Sequence, residues 1–208
     1  MAKSPYAGFA KRRLGREIGN TAAIKLYRTT LAHTLKRQAR ATRWRTILAV
    51  APDRDITAPF WARLGAGPTV RRLPQGSGDL GTRMQRLFRI LPPGPVIIVG
   101  SDIPRVSQGH VALAFSLLRR ADAVLGPAPD GGYWLIGLRR SPRVLAPFAG
   151  VRWSSAHALA DTLANLEGKR IAFAQTLNDI DTAEAFRTQR AVAGRLITHS
   201  PDVTYPRQ

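Results

Sequence analysis

The sequence predicts an α/β fold, with a mostly parallel sheet held between two helical layers. Two observations carry this. Short runs rich in Val, Ile, Leu and Ala recur at residues 46–51, 95–100, 122–126 and 133–138. They are apolar almost throughout, as expected of strands buried on both faces. Between several of them lie stretches whose apolar residues recur at steps of three and four, the period of a helix.

Taken in order, residues 1–19 read as a Gly/Pro/basic loop. Asn20 or Thr21 starts a helix to about residue 39, with Ile24, Tyr27, Leu31 and Leu35 on its apolar face. A strand at 46–51 runs into a Pro52-Asp53 turn, a short helix at 58–64 and a short strand at 69–73. The loop 75–79 leads to a helix over 80–91, and the strand 95–100 follows. Ser107 caps a helix to about residue 120, with Val111, Ala114, Phe115 and Leu118 inward. A strand at 122–126, a tight loop at 127–132 and a strand at 133–138 come next. Ser154 or Ser155 caps a helix ending near Gly168. A strand at 170–174 and a helix from about residue 182 complete the pattern. No repeat or linker divides the chain, so residues 1–195 are expected to form one domain and 196–208 a tail.

Composition narrows the chemistry. The 208 residues include no Cys, which excludes disulfides, thiolate nucleophiles and Cys-ligated metal centres. No apolar run approaches the roughly 20 residues of a membrane span, and no signal-like leader is visible. A cytoplasmic location is the expectation. Lys and Arg number 32 against 13 Asp and Glu, a net charge of +19. Residues 1–45 alone hold 12 basic residues and one acid, Glu17. Such a field attracts anions and nucleotides. Nucleic acid is not the expected primary partner, because charge is its only support and no recognition motif accompanies it.

Acids are therefore scarce, and where they stand is informative. Asp102 follows the 95–100 strand in Gly100-Ser101-Asp102-Ile103-Pro104. Ligands of open α/β sheets bind at the carboxyl ends of strands. A carboxylate there suits Mg²⁺ or Mn²⁺ bound to substrate phosphates, since hard cations take oxygen ligands. Asp179 and Asp181 alternate in an extended segment before a helix, which fits a second metal carboxylate or ordinary helix capping equally well. In Pro5-Tyr6-Ala7-Gly8-Phe9-Ala10-Lys11-Arg12-Arg13, a glycine beside cations reads as a phosphate contact or as a solvated basic loop. Gln75-Gly76-x-Gly78-Asp79-Leu80-Gly81-x-Arg83 opens a helix, which suits a nucleotide contact or plain turn chemistry. Asp130-Gly131-Gly132-Tyr133-Trp134 reads as a hairpin turn or as the wall of a substrate cleft. Tyr133 and Trp134 are adjacent in a strand, so only one of them can face such a cleft. The four His residues lack ligand spacing.

Together these segments resemble a family of small bacterial transferases with the nucleotide-diphospho-sugar transferase fold, the GT-A type. Some of its members are glycosyltransferases of the arsenosugar-biosynthesis type. The resemblance rests on Ala2-Lys3-Ser4-Pro5, Gly8-x-x-Lys11-x-Arg13-Leu14, the Gln75 to Met84 segment, Gly100 to Pro104, Gly126-Pro127-x-x-Asp130-Gly131-Gly132-Tyr133-Trp134, and Asp179-Ile180-Asp181-Thr182. These pieces occur in the family's order. Carried over residue by residue, nucleotide binding falls on Lys3, Pro5, Gly8, Lys11 and Arg13, joined by Gln75, Gly76, Gly78, Asp79 and Arg83. Metal binding falls on Asp102 and on Asp179 or Asp181. Family members carry an apolar first strand just before the Ala-Lys-x-Pro loop. Here Met1 stands where that strand ends, so the expected sheet lacks most of its first strand. Arg12 replaces the family's usual Thr, and position 102 carries one Asp in place of an Asp-x-Asp pair.

The resemblance implies a transferase that uses Mg²⁺ or Mn²⁺ and a nucleotide-activated donor, with a nucleotide-sugar as the first expectation and a small-molecule acceptor. Lys11 and Arg13 would stabilise developing negative charge. Asp130 would orient or deprotonate the acceptor hydroxyl. The alternative reaction is nucleotidylyl transfer from a nucleoside triphosphate. The alternative of another class is a non-catalytic anion or nucleic-acid binder on the same scaffold.

Overall fold

The structure, a computed structural model, describes residues 1–6, 10–141 and 143–177. Among these residues seven strands form two half-sheets. Strands β1 (Ala2–Lys3), β2 (Ile47–Ala51) and β3 (Arg71–Pro74) are parallel in the order β1-β2-β3. Strands β4 (Val96–Val99), β5 (Ala123–Pro127), β6 (Tyr133–Leu138) and β7 (Ile171–Phe173) take the order β4-β6-β5-β7. In this second group β6 runs antiparallel to both neighbours, while β5 and β7 are parallel. The halves meet where the amine of Met1 donates to the Val99 carbonyl at 2.8 Å.

Helices cover both faces, and the period of two along each strand decides which residue goes where. Val124 and Leu135 face α5 (Gln108–Leu117), packing with Val111, Ala114 and Leu118. Leu125, Ile136 and Leu138 face the other way, against Met84 and Phe88 of α4 (Leu80–Ile90) and residues of α6 (Ala158–Ala164). The long α2 (Asn20–Ala39) lays Tyr27, Leu31 and Leu35 on Leu48 and Val50. A short α3 (Phe60–Arg63) seats Trp61 in the same cluster.

Most predicted elements are present within a few residues of their expected ends. Two differences matter. Residues 1–19 are not a loop throughout: β1 forms, and α1 (Arg12–Ile18) follows it. Leu14 and Ala23 close a small cluster between α1 and α2, which the density of basic residues concealed. Strand β4 is also not buried on both faces, since all four of its residues are only half-buried. The strand lines a cavity of about 660 Å³ that it shares with residues 47–49 of β2. The expected helix from residue 182 and the tail at 196–208 lie outside the described residues.

Candidate active site at the carboxyl edge of the sheet

Parallel strands deliver their carboxyl ends to one edge, and Asp102 and the Asp130 loop stand there. Ser4 follows β1, Asp53 follows β2, Gln75 follows β3 and Asp102 follows β4. Because β5 runs antiparallel to β6, and β6 to β4, the Asp130 loop leaves β5 at the same edge. The chain beyond β7 reaches it too, with the Leu177 N–H donating to the Pro127 carbonyl at 3.2 Å. Asp179 and Asp181, two and four residues further on, lie outside the described residues, as does Gly8.

The central feature is an ion pair. Lys11 Nζ donates to Asp102 Oδ2 at 2.8 Å, with the Lys11 side chain 5% exposed and that of Asp102 31%. Lys11 caps α1 with φ 54° and ψ 41°, the left-handed region that a non-glycine residue seldom occupies. Backbone strain of this kind persists where the surroundings over-determine it, and it concentrates at functional sites. Arg13, paired with Lys11 in the sequence reading, sits instead within the first turn of α1 and is exposed. The helix separates the two cations that a loop would have kept together.

A second layer holds this pair in place. The Tyr27 hydroxyl accepts from the Lys3 N–H, lies 3.0 Å from the Lys3 carbonyl and 3.0 Å from Ser101 Oγ, and so clamps the end of β1 to the end of β4. Burial pushes the Tyr27 phenol up to about 12, so the clamp stays protonated. Gln75 is buried, and its amide nitrogen donates to the carbonyls of Ala2 and Ala49, each at 3.0 Å. Its local role is a strut between β1 and β2. The Gly76 N–H donates to Asp53 Oδ1 at 3.0 Å. Tyr27, Ser101 and Asp53 escaped the sequence reading. Tyr27 looked like one more residue of an apolar helix face, and Asp53 like a turn, although its position after a strand matches that of Asp102.

Local contacts account for several other candidates. Asp79 caps α4 by accepting from the Thr82 N–H at 2.7 Å, and hydrogen bonding from the Thr82 side chain and then from this N–H holds its carboxyl below the ordinary range. Arg83 Nε donates to the Gly78 carbonyl at 2.9 Å. Pro5 is buried beside Ser4, whose hydroxyl is enclosed without a partner among the described residues. Lys3 has an exposed side chain, and its backbone makes the Tyr27 contacts. In the 127–132 loop the Gly132 N–H donates to Asp130 Oδ1 at 2.9 Å, while Leu159 donates to the Gly131 carbonyl, docking the loop on the start of α6. Gly131 has φ 81°, and a Cβ there would strike the Ala156 backbone. Trp134 does not line a cleft. It is 2% exposed, lies across Gly126 and donates its indole N–H to the Gln175 carbonyl at 2.9 Å. Tyr133 points to the opposite face and pairs its hydroxyl with Thr162, so Asp130 is the exposed member of that set.

No cluster of three or more potential metal ligands occurs among the described residues. Asp102 alone fits a cation that keeps most of its shell as water and phosphate oxygens, which is the habit of Mg²⁺, and it does not fit an all-protein cage. No helix among them is long and apolar enough to cross a membrane.

This is the fold of the nucleotide-diphospho-sugar transferases. The chain is similar over 96% of its length, at 31% identity and a TM-score of 0.85, to 88% of a crystallised "putative nucleotide-diphospho-sugar transferase" from Desulfovibrio desulfuricans G20. The profile of the bacterial family described as "Uncharacterized protein conserved in bacteria (DUF2064)" matches residues 34–155, and the chain belongs to that family. Two more distant structures share the fold. One is 4-diphosphocytidyl-2C-methyl-D-erythritol synthase from Anaerococcus prevotii DSM 20548, with 14% identity and a TM-score of 0.57 over 80% of this chain and 86% of that one. The other is a homologue of a Mycobacterium tuberculosis protein, from Mycobacterium sp. strain JC1, with 15% identity and a TM-score of 0.56 over 80% of this chain and 84% of that one. No curated protein matches the chain.

Proposed function

We propose that the chain is a transferase acting on a nucleotide-activated donor, with a nucleotide-sugar as donor and a small hydroxylated molecule as acceptor. The observation that carries this reading is the Lys11–Asp102 pair, a mostly enclosed ammonium on a strand-end carboxylate. Its likeness to the Desulfovibrio protein supports the donor class. Asp102 would hold Mg²⁺ or Mn²⁺ together with the donor phosphates, and such a cation neutralises a departing nucleoside diphosphate. Lys11, already desolvated and held by α1, supplies a fixed positive charge beside those phosphates and needs little reorganisation as charge develops. Arg13, exposed in the first turn of α1, adds a fork-shaped donor. Asp130 orients the acceptor hydroxyl.

The test is calorimetry with nucleoside diphosphates and Mn²⁺, followed by product analysis with nucleotide-sugars. Asp102→Asn is expected to abolish the metal-dependent part of binding while the melt stays cooperative. Replacing Lys11 and Arg13 together by Ala is expected to weaken diphosphate binding more than nucleoside binding. Unchanged Mn²⁺–nucleotide affinity in Asp102→Asn overturns the site. Pyrophosphate released from a nucleoside triphosphate, with no sugar transferred, overturns the donor.

A further inference from the structure

The end of the sheet opposite the candidate active site is bordered by cations. Arg43 and Arg45 stand ahead of β2, and Arg71 opens β3. Arg119 and Arg120 stand ahead of β5, and Lys169 and Arg170 ahead of β7. Because β6 is antiparallel, with Leu138 opposite Ala123, Arg139 and Arg140 leave it at this same end. The acids in these flanking segments are Asp122 and Glu167. Asp122 pairs with Arg139 at 2.8 Å and with Arg170 at 3.3 Å. Arg43, Arg45, Arg71, Arg119, Arg120 and Lys169 are all exposed, and no ion pair among the described residues engages them. A strand of five residues is roughly 17 Å long, so these groups lie beyond reach of phosphates bound beside Lys11.

The turn between α4 and β4 stands at this end too, because it leads into the start of β4. Its sequence is Ile90-Leu91-Pro92-Pro93-Gly94-Pro95. Ile90 is 49% exposed, and Pro92, Pro93 and Pro95 are exposed as well. An apolar turn bordered by cations is a mark of contact with a partner. Its backbone is already provided for. Arg140 Nη1 donates to the carbonyls of Pro92 at 2.7 Å and Gly94 at 3.1 Å, and Nη2 donates to that of Leu91 at 2.6 Å. Arg140 does this from φ 62°, in the left-handed region. The prolines have no N–H to leave unpaired. A turn whose carbonyls are held by a guanidinium and whose prolines lack donors loses little when water leaves it.

We propose that this end of the sheet docks on a bilayer surface bearing anionic phospholipid head groups. The 90–95 turn enters the interfacial layer, and the cations at the strand ends meet the surrounding phosphates. Each cation near such a surface adds attraction, and an apolar anchor adds burial. Nucleic acid fits the same charges less well. Proteins that hold single strands set aromatic platforms among their cations, and duplex readers present a helix or ribbon to a groove. Here the large exposed side chain is the aliphatic Ile90, and Trp44, the aromatic beside Arg43, packs on Phe115. Docking in this way leaves Lys11 and Asp102 facing away from the lipid. This inference is independent of the reaction proposed above.

The experiment is co-sedimentation of the full chain with vesicles of phosphatidylcholine alone and of phosphatidylcholine carrying about 30% phosphatidylglycerol. Binding to the anionic vesicles is expected to be about tenfold tighter or more, and roughly 0.5 M salt should reverse most of it. Arg119→Glu, Arg120→Glu and Lys169→Glu together should weaken it about tenfold or more. Ile90→Ser should weaken it about threefold or more with every charge kept. The same change of charge on α2, at Lys25, Arg28 and Lys36, should cost less than about threefold. Equal sedimentation with the two vesicle types, or with neither, overturns the proposal without recourse to any variant. Equal losses from the two charge-reversed sets trace binding to net charge and overturn the surface. Tighter binding to a duplex of about 20 base pairs than to vesicles, unaffected by Ile90→Ser, assigns the cations to nucleic acid and overturns the lipid.

Discussion

Two parts of the four-stranded half-sheet use the same side chains to different effect. In β5 and β6 the runs Ala-Val-Leu-Gly and Trp-Leu-Ile-Gly-Leu are buried from end to end, for each strand has a partner on both edges and helices on both faces. Strand β4 is at least as apolar and shares a ladder with β6, yet it stays half-buried. The difference lies in what stands on the other edge. A strand's burial belongs to its neighbours as much as to its own residues, and among the described residues β4 has a ladder partner on one edge only. The candidate active site sits on the seam between the half-sheets, with Lys11 brought in by β1 and α1 and Asp102 by β4.

The largest expected effect breaks the comparison directly. Ile136→Ala, in the fully buried β6, should destabilise by about 2–5 kcal/mol through transfer and cavity terms. Ile97→Ala borders a cavity of about 660 Å³ beside β4, so part of the space already exists, and it should lose roughly 1–2 kcal/mol. Denaturant titration compares them, and equal losses would mean that this cavity is filled in solution.

The next effect is a pH dependence. Burial pulls the Met1 amine from near 8 down to about 6, with the Asp102 carboxylate opposing. A base whose folded pKa lies below its unfolded one stabilises fully above the unfolded value, and that stability is lost as pH falls through the folded value. The melt should therefore drop between pH 8 and pH 6, by on the order of 1–3 kcal/mol. Comparison with a form whose amine is blocked by acetylation or by a peptide bond isolates this group from the histidines. An identical drop in both forms would remove the amine from the account.

Tyr27→Phe tests the clamp across the seam. Loss of its hydroxyl bonds to Lys3 and Ser101 should cost about 0.5–1.5 kcal/mol. The phenol is raised in the folded state, so its contribution holds below pH 10 and fades as pH approaches 12. Melts of the two proteins that stay parallel across this range would argue against the clamp. The smallest change in stability is expected for Asp130→Asn, within about 0.5 kcal/mol, because an asparagine oxygen can keep the turn bond to Gly132. Turnover of a nucleotide-sugar should fall while the melt holds, and unchanged turnover would reduce Asp130 to a turn residue.

Local signals were legible wherever one chain segment settled the matter. The apolar runs marked β2, β4, β5 and β6, Ser107 and the 3.6-residue period marked α5, and Asp102 stood out as a scarce acid after a strand. What escaped depended on partners far along the chain. Tyr27 became a clamp only because α2 crosses the junction of β1 and β4, 74 residues from Ser101. Trp134 became a core residue because Gly126, on the neighbouring strand, leaves room for the indole. Gln75 became a strut because it follows β3 beside β2 and its amide reaches carbonyls of both β2 and β1.

By itself the sequence determined the alternation of strands and helices, the absence of thiol chemistry, the basic field around the amino-terminal segment and the acids that end strands. Those follow from composition and from periods of two and 3.6 residues, which are properties of neighbours along the chain. The tertiary structure alone decided that Lys11 meets Asp102 across 91 residues, that Arg13 does not share its environment, and that β4 faces a gap. Each of these depends on which strand edges and helix faces come together, and pairing between distant segments leaves no local period to read.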